Sequence, residues 1–228
     1  MNEEIIRFEE LASTNDYLKT RLQEKKNLIV TAKKQTGGRG TKGRSFSSEL
    51  GGLYISLLRF YEDFPAEKAF EIMQKTAVAV CETLAFFGVA PVIKWPNDIY
   101  VKGKKICGIL IENVFSGKRI ASSIVGIGVN VCNALPQELL PMATTLAKAR
   151  ATSITVEEVE EKLLYFLENA KEEKYAKYLG FIGEEVVLTA GEERFLATVL
   201  GVDEKGLLSV SIEGKKQKFS SAEISIKV

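Results

Sequence analysis

Residues 37–44 concentrate chemical groups that bind anions. This stretch, GlyGlyArgGlyThrLysGlyArg, contains four glycines and three cations, Arg39, Lys42 and Arg44. Glycines allow backbone amides to approach a ligand closely, and the cations can neutralise phosphate and carboxylate charge. The stretch matches neither GxxxxGK[ST] nor GxGxxG, which argues against a P-loop or a Rossmann site. The pattern predicts an anion cradle, although composition alone favours a flexible basic loop without a ligand equally well.

Two further segments carry groups that could act together with this loop. The ProAsn pair at 96–97 predicts a turn between two strands, so Lys94, Asp98 and Lys105 can project toward one region of a sheet. The stretch GlyIleGlyValAsn at 126–130 has glycines that permit close approach of a ligand or of another strand. Each segment by itself is more typical of a structural role, as a core, a turn or a solvated hairpin tip.

The composition excludes several kinds of chemistry. The chain of 228 residues contains no histidine, which removes Ser/His and Cys/His catalysis and most zinc chemistry. Its cysteines, Cys81, Cys107 and Cys132, are far apart, so neither a disulfide framework nor a thiolate metal site is predicted. A formal net charge of +1 gives no sign of general attraction to nucleic acid or anionic membranes. No apolar run reaches the ~18 residues of a membrane span and the N-terminus is acidic, so we expect a cytoplasmic location.

The periodicity of apolar residues predicts an α+β fold. Helices are expected from about Pro65 to Phe87 and from Thr155 to Tyr178, where apolar residues recur at helical spacing, and a shorter one begins at Ser13 or Thr14. Short apolar segments between turn residues predict two groups of strands. The first group comprises 4–8, 28–32, 52–59, 92–94, 99–101, 106–113 and 120–131, and the second 185–189, 195–202, 207–212, 216–219 and 222–227.

These two groups of strands predict two domains. Successive hairpins in the first group imply a mixed, largely antiparallel sheet backed by helices, over residues 1–180. The regular spacing of the second group predicts a small β-barrel over residues 181–228. Residues 33–52, which connect the strand at 28–32 to the strand at 52–59, have a composition that fits neither a helix nor a strand. Long loops of this kind are often functional, so ligand binding is expected there.

The motifs, in their order along the chain, resemble those of the biotin–protein ligases. That family has a SerThrAsn motif, a GlyArgGlyArgxGlyArg loop, a LysTrpProAsnAsp strand end and a Lys…Gly…Leu…Glu hairpin. The corresponding segments here are 13–15, 38–44, 94–98 and 105–112. The resemblance runs from about residue 5 to the end of the chain, and the LysTrpProAsnAsp match is its most specific part. It implies a catalytic domain followed by a small SH3-like barrel.

The resemblance also implies a reaction. Biotin and ATP would form biotinyl-5′-adenylate, and biotin would then be transferred to a lysine of a biotin carboxyl carrier protein. Mg²⁺ is expected to accompany the phosphates, without a metal site built by the protein itself. Because some members of the family form homodimers, the resemblance implies a homodimer as one alternative to a monomer. The SerThrAsn motif at 13–15 leaves no room for the N-terminal DNA-binding domain of some members, and DNA binding is not expected.

Individual residues take expected roles from the same resemblance. Four are expected to act in catalysis: Lys105, Arg39, Arg44 and Asp98. Biotin is expected to contact Ser13, Thr14, Asn15, Gln35, Gly38, Arg39, Lys105 and Gly108, with Gly108 leaving room for its rings. ATP is expected to contact Arg39, Gly40, Lys42, Arg44, Trp95, Asn97 and Asn130. Asp98 would orient or deprotonate the acceptor lysine, since no histidine is available for that task.

One position departs from the family pattern. Thr41 stands where the family usually has a second arginine in the loop, and Lys42 follows it. If that arginine helps to hold the loop over the adenylate, the intermediate is expected to escape more readily here, unless Lys42 compensates.

Two other functions remain as alternatives. A lipoate or other acyl ligase or transferase of the same superfamily would share the fold and the adenylate chemistry. Its usual histidine-containing signature cannot be met by this sequence. A nonenzymatic module could instead bind nucleic acid through the C-terminal barrel. That segment, however, lacks the dense basic and aromatic stripe typical of such binding.

Overall fold

A computed structural model describes residues 3–150 and 153–227, so the predicted domain ends at residues 1 and 228 lie outside the described residues. The described helices are α1 (Thr14–Thr20), α2 (Ala69–Phe86), α3 (Leu146–Arg150), α4 (Val156–Asn169) and α5 (Tyr175–Tyr178). The first sheet contains β1 (Glu4–Leu11), β2 (Leu28–Gln35), β3 (Leu53–Pro65), β4 (Pro91–Lys94), β5 (Asp98–Val101), β6 (Lys104–Ser116) and β7 (Arg119–Val129). The second contains β8 (Glu185–Ala190), β9 (Glu193–Val202), β10 (Leu208–Ile212), β11 (Lys215–Phe219) and β12 (Ser225–Lys227).

The seven-stranded sheet has the order β1-β2-β3-β7-β6-β5-β4. Only the β1–β2 pair is parallel, and the other neighbours are antiparallel, as the successive hairpins predicted. The β5–β6 turn has positive φ at both Lys102 and Gly103, which is the backbone of a tight two-residue hairpin turn. The register of β6 and β7 sets Gly108 opposite Gly128, and the register of β5 and β6 sets Asp98 opposite Gly108. The pairing of β5 with β6 and of β6 with β7 therefore brings the segments 94–98, 105–112 and 126–130 together.

Alternating strand residues enter different cores on the two faces of this sheet. Leu57 and Val125 pack in the large core beneath α2 and α4, whereas their neighbours Leu58 and Ile124 pack in a smaller core with Leu18 of α1. Successive side chains of a strand point to opposite faces, so alternate residues of the same strand contribute to the two different cores. The face beneath α1 is only partly covered, and the functional groups lie there.

The second sheet is antiparallel, in the order β11-β10-β9-β8-β12, and surrounds a core of its own. This core contains Leu188, Val199, Leu208 and Val210 together with Trp95 from the turn between β4 and β5. The predicted fold class is confirmed: a mixed, largely antiparallel sheet backed by helices, with a smaller all-β unit after it. Among the described residues, no helix combines the length and the apolar character needed to cross a bilayer.

Two predicted helix boundaries were wrong. Strand β3 continues through Pro65, which pairs with Arg119 in extended conformation. A 3-10 turn follows at Ala66–Lys68, and α2 begins at Ala69, four residues later than predicted. The second predicted helix breaks after Asn169, where Ala170 is extended, and a short helix resumes at Tyr175. The break lets the Tyr175 ring turn inward against Phe70, at 5.5 Å between ring centroids, so tertiary packing overrides the helical period.

Candidate active site

A cavity of about 440 Å³ opens on the partly covered face of the first sheet. The N-terminus of α1, the glycine-rich loop, the β5–β6 hairpin and the segment that follows β7 form its walls. Twelve of the predicted site residues line it: Ser13, Thr14, Asn15, Gln35, Arg39, Gly40, Arg44, Asn97, Asp98, Lys105, Gly108 and Asn130. Segments far apart in the sequence therefore meet in one site.

One end of the cavity is a buried network of neutral polar groups. The Thr14 backbone N–H and hydroxyl donate to Gln35 Oε1, at 2.8 and 3.1 Å. Ser56 Oγ lies 2.7 Å from both Thr14 Oγ1 and Asn15 Oδ1. These side chains are pre-oriented by one another, so this end can exchange hydrogen bonds with an uncharged polar ligand such as a urea. Ser56 was not predicted, and its only signal was a hydroxyl within the apolar run of β3.

Glycines form the floor beside this network. A Cβ at Gly126 would lie 2.2 Å from Asn15 Oδ1, and one at Gly128 would lie 2.6 Å from the Phe46 ring. A side chain at either position would therefore displace the groups above it. Gly108, opposite Gly128, was expected to leave room for the rings of biotin, but in this structure Phe46 packs over both glycines. Phe46 was not predicted, and a ligand ring on this floor must share it with Phe46 or move it.

Lys105 and Asp98 form an ion pair at the other end, with 2.7 Å between Nζ and Oδ1. The backbone of Lys105 also bonds to the wall after β7: its N–H donates to the Met142 carbonyl and its carbonyl accepts from the Thr144 N–H, each at 2.9 Å. The main chain of Lys105 is thus fixed on both sides. Its ammonium lies 5.8 Å from the Phe46 ring centroid. The charged end and the glycine floor are therefore adjacent.

Arg39 is held by two carboxylates in this structure. Its guanidinium lies 2.5 Å from Asp16 Oδ1 and 3.5 Å from Glu112 Oε1. Burial tends to raise the pKa of Asp16, but hydrogen bonds from Lys19 and Arg39 outweigh it and hold that pKa below its usual value. Because Arg39 and Asp16 are both about half exposed, such pairs are weak and an incoming anion can replace them. Glu112, which also accepts from Asn15 Nδ2 at 2.9 Å, was not predicted as a site residue.

The remaining wall combines an amide with apolar side chains. Asn130 lines the cavity together with Leu135, Leu139 and Met142 from the segment after β7. Such a wall suits a flat heteroaromatic ring, which presents apolar faces and polar edges. Asn97 also lines the cavity, but its amide donates to the Ile109 carbonyl at 2.8 Å and so supports the hairpin.

Tyr100 adds a protonated hydroxyl to the cavity. Burial, with a smaller effect from the charge of Asp98, raises the pKa of Tyr100 to about 12. Its hydroxyl accepts a hydrogen bond from Lys94 Nζ at 3.2 Å. The phenol is therefore neutral at physiological pH and can act as a hydrogen-bond donor, not as a base.

Three residues that were predicted to contact a ligand do not line the cavity in this structure. Gly38 packs inside its own loop, where a Cβ would lie 2.4 Å from the Phe46 carbonyl oxygen. Lys42 points from the loop tip to the second sheet, 3.4 Å from the Ile224 carbonyl. Trp95 is buried in the core of the second sheet and donates from Nε1 to the Gly206 carbonyl at 3.0 Å. Their positions indicate structural roles.

The placement of Trp95 leads to a testable prediction. Trp95→Phe keeps an aromatic ring in the core but leaves the Gly206 carbonyl without its donor. We expect a loss of about 1–2 kcal/mol in the free energy of unfolding, measured by urea denaturation. The apparent KM for ATP should change less than about twofold, because the indole does not line the cavity. A large rise in that KM with unchanged stability would instead indicate direct contact with the nucleotide.

The described residues include no group of three or more His, Cys, Asp or Glu that could hold a metal ion. The carboxylate that lines the cavity, Asp98, is already paired with Lys105. These donors do not fit a protein-built Mg²⁺ site. An ion that enters with a nucleotide would depend on phosphate oxygens and water for its ligands.

Comparison with known proteins identifies the family. Residues 8–130 match the biotin/lipoate A/B protein ligase family, and residues 181–227 match the biotin protein ligase C-terminal domain. The chain belongs to the biotin/lipoate A/B protein ligase family.

Its relatives include named biotin ligases. The chain is 34% identical over 218 residues to the bifunctional ligase/repressor BirA of Bacillus spizizenii, covering 87% of this chain and 66% of that protein. It is 27% identical over 216 residues to the biotin–[acetyl-CoA-carboxylase] ligase of Mycobacterium tuberculosis, covering 86% and 78%. A solved structure of the biotin protein ligase from Aquifex aeolicus in complex with biotin and ATP aligns with a TM-score of 0.79 at 29% identity, covering 100% of this chain and 99% of that one.

Proposed function

We propose that this chain is an ATP-dependent biotin–protein ligase. It forms biotinyl-5′-adenylate from biotin and ATP and then transfers biotin to a lysine of a carrier protein. One observation carries the proposal: a single cavity has a neutral hydrogen-bonding end at Thr14, Gln35 and Ser56 and a cationic end at Arg44 and Lys105, joined by a glycine floor. The two ends match the uncharged ureido ring and the carboxylate tail of biotin.

The first step joins two anions. The biotin carboxylate oxygen attacks the α-phosphorus of ATP, and the bond to the β-phosphate breaks, releasing pyrophosphate. Arg39, Arg44 and Lys105 supply the positive charge that brings the carboxylate to the phosphate and stabilises charge in the transition state. Arg39 leaves Asp16 and Glu112 and pairs with the ligand anions. Asn130 and the apolar wall beside it bind the adenine ring of ATP.

The second step transfers biotin to the carrier. The lysine amine attacks the biotinyl carbonyl carbon, the bond to AMP breaks, and the amine loses a proton as the amide forms. Asp98 lines the cavity next to Lys105, so its carboxylate can orient the incoming ammonium and accept that proton. Lys105 in turn remains next to the leaving AMP.

The proposed assignments extend to domains, partner and location. Residues 1–180 form the catalytic domain and residues 181–228 a small C-terminal domain that packs on it through Trp95. The partner is a biotin carboxyl carrier protein, by analogy with the carboxylase ligase of Mycobacterium tuberculosis. Free thiols at Cys81, Cys107 and Cys132 and the need for ATP suit the cytoplasm.

The alternatives fit the cavity less well. A lipoate ligase needs room for an apolar ring, whereas the buried end here presents the amide and hydroxyl groups of Thr14, Asn15 and Gln35. A nucleic-acid-binding module needs an open basic groove with stacking aromatics. The cations of this site instead line one end of a pocket whose other end presents neutral hydrogen-bonding groups.

The decisive experiment supplies ATP, Mg²⁺, biotin and a purified carrier domain and measures the mass added to the carrier. We expect the increment of one biotinyl group on one lysine, together with biotin-dependent exchange of pyrophosphate into ATP. Lipoate replaces biotin in a parallel reaction. Lipoate-dependent exchange without biotin-dependent exchange would support the lipoate ligase, and binding of an oligonucleotide with neither activity would support the nonenzymatic module.

The loop tip provides a second prediction within this proposal. Thr41 lines the cavity and its carbonyl accepts from Arg44 Nε at 3.3 Å, so an arginine at this position would add a cation to the wall over the adenylate. We expect Thr41→Arg to slow the release of biotinyl-5′-adenylate by about three- to tenfold, as one additional charge-assisted hydrogen bond would. Release is measured by rapid dilution and filtration of the preformed complex. Thr41→Gln, which lengthens the side chain without adding a charge, should leave the rate near that of the parent. Equal rates for all three proteins would refute the prediction.

A further inference from the structure

Asn133 is a buried amide behind the wall of the cavity. It is 3% exposed and does not line the cavity, but its Nδ2 donates to Oδ1 of Asn130 at 3.2 Å. Asn130 is itself 4% exposed and does line the cavity. The side chain that faces the ligand therefore has its carbonyl oxygen occupied from behind. Within the described residues, no hydrogen bond engages Asn130 Nδ2, which is left as the free donor of that amide.

The backbones of both asparagines are held in place. The Asn130 N–H donates to the Ile106 carbonyl at 2.8 Å, and its carbonyl accepts from the Leu146 N–H at 2.9 Å. On the other side, the chain of Gly51 packs directly on Asn133, where a Cβ at Gly51 would lie 3.0 Å from the Asn133 nitrogen. With the backbones fixed, the remaining freedom of the pair is the rotation of the two amide groups. The hydrogen bond between them removes that freedom.

Asn133 also carries an unfavourable feature. Its Oδ1 is buried and has no hydrogen-bond partner among the described residues. An unpaired buried carbonyl oxygen destabilises a fold, and an apolar residue of similar size would avoid it. The presence of an asparagine here is explained if its NH₂ group performs a task that an apolar side chain could not.

We propose that Asn133 is a positioning residue for the nucleotide. By occupying Oδ1 of Asn130, it directs Nδ2 of Asn130 into the cavity, where that group donates to an acceptor nitrogen of the adenine ring of ATP. Adenine offers ring nitrogens as acceptors, and a flipped amide would present an oxygen to them and repel them. This inference rests on the proposed function, because it assumes that the adenine ring of ATP binds at the cavity wall that contains Asn130.

The test changes Asn133 and measures steady-state pyrophosphate exchange. Asn133→Asp keeps the shape of the side chain but replaces the donor by an acceptor, so Asn130 is expected to flip. The apparent KM for ATP should rise about tenfold or more, as expected for the loss of one well-placed hydrogen bond, while the apparent KM for biotin stays within about twofold. Asn133→Ala, which only frees the amide to rotate, should shift the KM for ATP in the same direction by about two- to fivefold.

A double-mutant cycle separates positioning from general damage to the fold. In an Asn130→Ala background, Asn133→Asp should add no further rise in the KM for ATP, because the group that it orients is gone. Cys132→Ser, at the exposed neighbouring position, serves as the matched control and should behave like the parent. Equal rises in the KM values for ATP and biotin, or additive effects in the cycle, would overturn the inference while leaving the ligase assignment intact. A parent protein without any biotin-dependent exchange would overturn both.

Discussion

Lys105→Met is expected to reduce the rate of biotinyl-adenylate formation by about 10²- to 10³-fold, the usual loss when one preorganised stabilising donor is removed. Methionine preserves most of the apolar length of the side chain but removes the charge. The ammonium is held by its ion pair with Asp98 at 2.7 Å, and the main chain of Lys105 is held by backbone bonds to Met142 and Thr144 on the facing wall. Lys105 is therefore preorganised at the charged end of the cavity, which is why its removal should affect the chemical step.

The control for this prediction is its neighbour in the sequence. Lys104 has the same side chain on the same hairpin, but its Nζ bonds to the Leu140 carbonyl at 2.8 Å and it does not line the cavity. Lys104→Met should therefore retain nearly full activity. Adenylate formation is measured as biotin-dependent incorporation of labelled pyrophosphate into ATP. If both variants lost activity equally, a general effect of charge on the hairpin would replace the assigned role of Lys105.

Asp98→Asn is expected to reduce biotin transfer to the carrier by about 10²-fold or more, the range of general acid–base catalysis. The acceptor amine must lose a proton, and a free lysine has a pKa of about 10.4. The substitution preserves size and removes the carboxylate that can receive this proton. Transfer is measured alone by supplying premade biotinyl-5′-adenylate and following biotin on the carrier.

The pH dependence of the Asp98→Asn variant tests the proton-accepting role of Asp98 independently. Without Asp98 the reaction depends on the neutral fraction of the acceptor lysine, which grows about tenfold per pH unit below its pKa of about 10.4. The deficit of Asp98→Asn relative to the parent should therefore shrink as the pH rises from 7 toward 9. Asp63→Asn is the matched control, because that carboxylate pairs with Arg119 and does not line the cavity. Undiminished transfer by Asp98→Asn at pH 7 would remove Asp98 from the mechanism.

Local information in the sequence was sufficient for much of the site. Alternating apolar residues and turn signals predicted the strands on either side of the ProAsn turn at 96–97, and hairpin pairing then brings Asp98, Lys105 and Gly108 together. The cap at Ser13 places Thr14 and Asn15 at the start of a helix, as its residue type predicts. These features depend on contacts between residues close in sequence, or on hairpins whose register the turns determine.

Contacts between distant segments could not be predicted in this way. Ser56 meets Thr14 from 42 positions away, and Glu112 meets Asn15 from 97. Neither residue type nor spacing in one sequence specifies such pairs, because many arrangements of the same elements satisfy the same local patterns. The role of Glu112 as a partner of Arg39 is visible only in the assembled site.

By itself, the sequence determined the class of fold, the order of the motifs and the chemistry of the loop at 37–44, since these follow from residue type and periodicity. Tertiary structure alone decided which motif residues reach the cavity. It directs Trp95 into the core of the second sheet and packs Phe46 over the glycine floor. The physical reason is that a side chain's task depends on which surfaces compete to bury it, and those surfaces come together only when the two sheets and the helices have packed.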